Sequence, residues 1–232
     1  MVGAYLQLFR NDGKGELMLA NFRRHYPESK IYLVSDSGDD FSELARKYNC
    51  VYHYGDINTG VRNNGFTKGE MLVWLNRFHN CFNYCTEDYV LYMEDDVYVR
   101  DKINIDGNYA IAGVKVGSLI PGEVFDYLKC KPTEGGACGG TIYNSKVFLE
   151  NYNQIIEFVN LHFDNLYNIY INIGCLDQFL PIVYNYLGYE YGLNKELIET
   201  GRDQNWRHTN HSIVHINGDA PEIIKEIQNG TM

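Results

Sequence analysis

The chain has 232 residues, 45% of them apolar and 22% charged, enough to bury a sizeable core and ordinary for a globular protein. Its net charge of −10 excludes a general binder of nucleic acid or of anionic membrane, so any anionic ligand must be received by a local basic patch or by a metal. The six cysteines show no CxxC or finger spacing, the opening residues lack a signal-peptide pattern, and no apolar run approaches the ~20 residues of a membrane span. The expectation is a protein of the reducing cytoplasm.

Strands and helices alternate from the start. Residues 2–9, VGAYLQLF, read as a buried strand, and GKGELMLANFRRHYP carries Leu17 and Phe22 at helical spacing until Pro27 stops it. KIYLVSD (30–36) reads as a second strand, and DDFSELARKYN (39–49) as a helix with acids at its positive end. CVYHYG (50–55) is a third strand, and TKGEMLVWLNRFHNCFNYC (67–85) is the strongest helical pattern, with Cys81 and Cys85 on its core side. Such alternation implies parallel strands joined by crossover helices, with ligands beyond the strands' carboxyl ends.

The next strand ends unusually. In YVLYMEDDVYVRDKI (89–103) an apolar run meets Glu94, Asp95 and Asp96 and then turns apolar again. Adjacent carboxylates repel, and burying them is costly without a cationic partner. In an extended strand Glu94 and Asp96 share one face and Asp95 the other. Two oxygen ligands on one side suit Mg²⁺ or Mn²⁺, whereas a solvated acidic strand end is the plainer reading.

Downstream, YAIAGVKVG (109–117) reads as a strand. GGACGGTIYNSKVFLENYNQIIEFV runs from a glycine-rich turn through a short strand into a helix. DQFLPIVYNYLG (177–188) is a short helix with Pro181 in its first turn, and SIVHING (212–218) is a last strand. No internal repeat or linker interrupts the chain, which points to one domain.

The order of strand, helix and strand, followed by LYMEDDVYV, resembles the GT-A-fold glycosyltransferases, whose DxD-type motif follows such a strand. The resemblance covers nearly the whole chain in layout and is specific at a few points. It implies a single α/β domain with a Rossmann-like, mostly parallel central sheet flanked by helices. Residues 1–100 would bind the nucleotide sugar and 101–232 the acceptor. The implied activity is metal-dependent transfer of a sugar, of the hexosyltransferase type, from a nucleotide-diphosphate sugar to a hydroxyl acceptor, a glycan. UDP is the commonest nucleotide of the family, and Mn²⁺ or Mg²⁺ the implied cofactor.

Residue by residue, the first acid of the motif is Glu94 here instead of Asp. Asp96 maps onto the direct metal ligand, Glu94 onto a water-mediated or ribose contact in the same shell, and Asp95 onto the donor-binding residues. The end of the first strand and its loop (Leu8, Phe9, Arg10, Asn11) would cradle the nucleotide. Asp36 would reach its base or ribose, unless it is a turn residue. Arg62 and Lys68 would supply basic contacts, though Lys68 also reads as a solvated first-turn residue. Gly139 and Gly140 would let the backbone approach the donor sugar. Asp177 matches an acceptor-facing general base and equally a helix N-cap. His215 would complete the metal shell, with His211 as the fallback, although a lone strand histidine is more often structural.

Rival classes fit less well. A sugar nucleotidyltransferase should open with a GxGxR-like loop, which LFRNDGKG is not. A haloacid-dehalogenase-like phosphatase needs its acids near the first strand. A calcium-dependent carbohydrate-binding module would carry acids in loops of an antiparallel pattern.

Overall fold

The first strand, β1 (Val2–Leu8), is buried at every position except Gln7, because apolar side chains leave both of its faces. Its alternate residues feed two cores: Tyr5 points into one, and Ala4, Leu6 and Leu8 into the other. A strand buried on both faces belongs at the centre of a covered sheet. In this computed structural model, which describes residues 1–58, 66–115, 120–133, 135–200, 206–216 and 221–230, β1 lies there.

It pairs in parallel with β2 (Ile31–Asp36) on one side and β4 (Tyr89–Met93) on the other, and β3 (Val51–Gly55) extends the sheet beyond β2. Helices α1 (Lys14–His25), α2 (Ser42–Lys47) and α3 (Lys68–Tyr84) make the crossovers. The alternation expected of the first hundred residues is therefore the observed one. Beyond β4 the sheet becomes antiparallel. Strand β8 (Ile142–Asn144) pairs with β4, β6 (Ile111–Lys115) with β8, and β7 (Gly135–Gly136) with β6, while β9 (Tyr191–Leu193) lies parallel to β6.

Helix α3 starts at Thr67, whose hydroxyl and the Glu70 carboxylate form a reciprocal capping box. It buries Met71, Trp74, Leu75, Phe78, Cys81 and Phe82, the three-and-four spacing of one helix face. Phe78 meets Tyr5, Tyr143 and Phe148 edge to face, joining this helix to the sheet and to α5 (Ser145–Ile169). The opposite face of the sheet is covered by α1 and by a second, three-stranded sheet of β10 (Leu197–Glu199), β11 (Ile213–His215) and β5 (Val97–Val99).

The small sheet corrects one expectation. The run 89–103 is not one extended strand. Strand β4 ends at Met93, residues 94–96 turn, closed by the Val97 amide donating to the Glu94 carbonyl at 3.3 Å, and β5 enters the other sheet. A second correction concerns α6 (Leu176–Tyr186). Its N-cap position is Cys175, so Asp177 lies inside the first turn and does not cap it.

Asp36 is at the end of the second strand, as expected. It is buried at the end of β2, where Arg77 of α3 donates to it at 2.8 Å and Gln7 at 3.2 Å, with the ion-paired side chains 3% and 2% exposed. Arg77 further donates to the Ile57 carbonyl at 2.7 Å. Gly55 leaves it room, since a Cβ there would lie 2.3 Å from the guanidinium. The carboxylate therefore fastens β2 to α3 from inside the fold, and the interior position gives no support to a ribose contact. Removing one partner of a buried pair strands the other charge, so Arg77→Met should cost about 3–5 kcal/mol. Adding Asp36→Asn should restore much of it. Urea unfolding of the single and double variants checks this; equal losses in both would deny the pair its role.

Candidate metal and donor site

The turn of Glu94, Asp95 and Asp96 sits at the carboxyl end of β4, where the two sheets meet. Strand β11 runs antiparallel to β5 with His215 opposite Val97, and the Ile216 amide donates to the Asp96 carbonyl at 2.9 Å. That pairing brings His215 Nε2 to 3.5 Å from Asp96 Oδ2. One ligand atom from each of Glu94, Asp96 and His215 falls within 4.8 Å of the other two. The turn thus achieves the convergence that an extended strand was expected to give.

Gly139 makes the close packing possible. A Cβ on it would lie 2.7 Å from Val97 Cγ2 and 2.9 Å from Glu94 Oε2, so any side chain would push into the acids. Gly140 adopts φ +90°, and its amide donates to the Tyr92 carbonyl at 2.8 Å, folding the glycine segment back along the end of β4.

The electrostatics are those of crowded acids. Burial and the neighbouring Asp96 push Glu94 up to about 8. Burial and Asp96 also raise Asp95. Burial works to lower the His215 pKa, but hydrogen bonds with Asp96, Cys138 and Glu199 outweigh it and hold it above the usual histidine range. Buried Asp96 Oδ1 has no hydrogen-bond partner among the described residues. An oxygen left so beside a second carboxylate and an imidazole fits a divalent cation.

No protein family model and no curated protein sequence matches the chain. Solved structures do. The galactosyltransferase LgtC, determined with donor and acceptor sugar analogues, is 12% identical over 98% of this chain and 95% of its own, with a TM-score of 0.56. GlyE, a glycosyltransferase of Streptococcus pneumoniae TIGR4, is 15% identical over 94% of this chain and 55% of its own, with a TM-score of 0.53. The bifunctional glycosyltransferase WbbM gives 13% identity over 94% and 46%, with a TM-score of 0.52. The chain has a GT-A-type fold.

Within that GT-A fold, Glu94, Asp96, His215 and Gly139 come together. His211, the fallback, precedes β11, and none of its described contacts is with the acids. The other expected residues surround the site unevenly. Leu8 is core. Phe9 is 44% exposed, with Arg10 5.9 Å over its ring. The Phe9 carbonyl accepts from the Asp39 amide at 3.0 Å, and the Asn11 amide donates to the Asp39 carboxylate at 2.7 Å, so this loop is clasped to the one after β2. Lys68 is engaged by α5, at 3.1 Å from Asp164 and 3.0 Å from the Asn160 carbonyl. Arg62 lies outside the described residues. Asp177 is exposed on the first turn of α6, and its charge is among those that raise Glu94. Its carbonyl accepts from the Ala137 amide at 2.7 Å, tying α6 to the glycine segment.

Three residues close to this cluster escaped the sequence reading. Lys14, first in α1, has its ammonium 4.0 Å from the Asp95 carboxylate and 3.4 Å from Asp12. Its position directly after the first strand's loop was the available signal. Cys138 and Glu199 lie behind His215, and no local pattern marks either.

Proposed function

We propose that the chain is a divalent-cation-dependent glycosyltransferase, taking a sugar from a nucleotide-diphosphate donor, UDP-sugar before others, to a hydroxyl of a carbohydrate or glycoconjugate. The observation that carries this reading is the convergence of Glu94, Asp96 and His215 at the end of β4 in a GT-A fold. The fold's resemblance to structures of glycosyltransferases supports the reaction class, and the donor set supports Mn²⁺ or Mg²⁺.

Glu94, Asp96 and His215 would hold the cation, which supplies Lewis-acid neutralisation of the diphosphate as it leaves. Lys14, beside the same turn, can add positive charge toward the phosphates. Gly139, by lacking a side chain, leaves Glu94 and His215 the room to converge on the cation. The Asp177 carboxylate would take the proton of the attacking hydroxyl, a role open to an exposed side chain that an acceptor can reach. Among the described residues no helix is long and apolar enough to cross a membrane.

The test is a thermal-shift panel of nucleotides and nucleotide sugars with and without Mn²⁺. A ligand at a hundred times its dissociation constant adds roughly 2.7 kcal/mol. Because the metal-free site keeps a proton on Glu94 up to about pH 8, cation entry must displace it, and affinity should rise with pH across 6 to 8. Calorimetry in two buffers of different ionisation enthalpy reads that proton release. No nucleotide response with any cation, or a cation affinity flat in pH, would remove the reading.

A further inference from the structure

Behind His215, on the side away from the acid turn, lies a carboxylate with no part in the site so far. Strands β10 and β11 run parallel with Glu199 and His215 as direct register partners, so their side chains leave the sheet together. The Thr200 amide donates to the His215 carbonyl at 3.0 Å and fixes this alignment. Glu199 and His215 are 6% and 7% exposed, and Glu199 Oε1 lies 3.3 Å from His215 Nδ1. The Cys138 thiol donates to the same oxygen at 3.6 Å.

We infer that Glu199 is the positioning residue of the cation site: it accepts the Nδ1 hydrogen of His215 and thereby turns Nε2 toward Asp96 and Glu94. This rests on the proposed function. A neutral imidazole carries one N–H, and the nitrogen that keeps it cannot be a ligand. A buried carboxylate is tolerated when donors satisfy it, and here an imidazole and a thiol converge on one of its oxygens. With a cation bound the one remaining hydrogen therefore belongs on Nδ1, and Nε2, which without the cation shares its hydrogen with the Asp96 carboxylate 3.5 Å away, gives that hydrogen up to become a ligand. The row Glu199, His215, Asp96 crosses the small sheet from β10 through β11 to the acid turn, with each member held by backbone pairing. A partner of this kind fixes both the tautomer and the ring orientation of a ligating histidine.

Cys138, Glu199 and His215 also offer ligand atoms within 4.8 Å of one another and could be taken for a second metal cluster. Separations of 3.3 and 3.6 Å onto a single oxygen are those of two donors on an acceptor.

The experiment compares chelator-stripped wild type with Glu199→Ala and Glu199→Gln, titrated with Mn²⁺ in the presence of UDP by calorimetry. Loss of the acceptor should weaken Mn²⁺ about 10–100-fold. Gln keeps an oxygen that can accept from Nδ1 and should recover part of that loss. Nitrogen-15 spectra of the Mg²⁺-loaded protein give the second readout: His215 carries its hydrogen on Nδ1 in wild type and loses that preference in the Ala variant. If Ala does not fold, Glu199→Met, close in volume and without an acceptor, carries the same expectation. A folded Ala or Met variant with unchanged Mn²⁺ affinity and unchanged tautomer overturns the inference and leaves the cation site standing. Wild type that binds no divalent ion removes the cation site and this role together. Zinc bound at Cys138 in preference to Mn²⁺ at Asp96 would also overturn it.

Discussion

An Asp96→Ala variant will fold, with a lowered melting temperature, and lose divalent-cation-dependent binding of a nucleotide diphosphate. Asp96 stands between the other two members of the cluster: it borders His215 and is the largest charge acting on Glu94. Its Oδ1 contributes no hydrogen bond to the described fold; its Oδ2 pairs with His215 at 3.5 Å, so truncation removes a ligand and one of the two carboxylates beside that imidazole, and Glu199 remains. The remaining acid would gain, because one source of repulsion is gone. Lewis-acid stabilisation of a leaving phosphate is worth several kcal/mol, and each 1.36 kcal/mol is tenfold in rate, so transfer should fall by at least about 10³-fold. The comparison needs Mn²⁺ and UDP titrations, the transfer rate and a melting curve on one preparation. Wild-type affinity for the nucleotide diphosphate with Mn²⁺ present would end the metal assignment.

Asp177→Asn is the counterpart on the acceptor side. The substitution preserves shape, and because Cys175 holds the cap position of α6 it disturbs no capping bond. The side chain is exposed, and the contact that ties this turn to the glycine segment runs through the Asp177 carbonyl, which the variant keeps. What disappears is the basic carboxylate. A general base contributes about 10²–10⁴-fold, so turnover should drop by that order with donor affinity near normal. A normally melting Asn variant that turns over like wild type would reduce Asp177 to a surface acid.

The first hundred residues were legible because their two periodicities are clean. Alternate residues of β1 divide between two cores, and α3 repeats its large side chains every three or four positions. The acids stood out for the same reason, as charge where the pattern demanded apolar residues. The turn inside 94–96 was not legible, since the segments on either side are equally apolar and differ only in which sheet they join. The end-of-strand position of Asp36 was legible, but its partner was not, since a strand-terminal acid looks alike with or without an arginine 41 residues away. Glu199 was out of reach: β10 and β11 are three residues each, too short for a period, and their pairing is a long-range fact. Asp177 was placed near a helix start correctly and at the wrong position of it, the usual reach of boundary reading.

The three-residue connection between β4 and β5 sets a condition on chain length. Strand β4 is locked in register to β1, and β5 to β11, so neither can slide to absorb an added residue. One strand step is ~3.3 Å, whereas a coordination shell tolerates only about 0.2 Å. The residue at position 95 is therefore free of that condition, but the spacing from Met93 to Val97 is not: an insertion there would carry Glu94 or Asp96 out of the cluster.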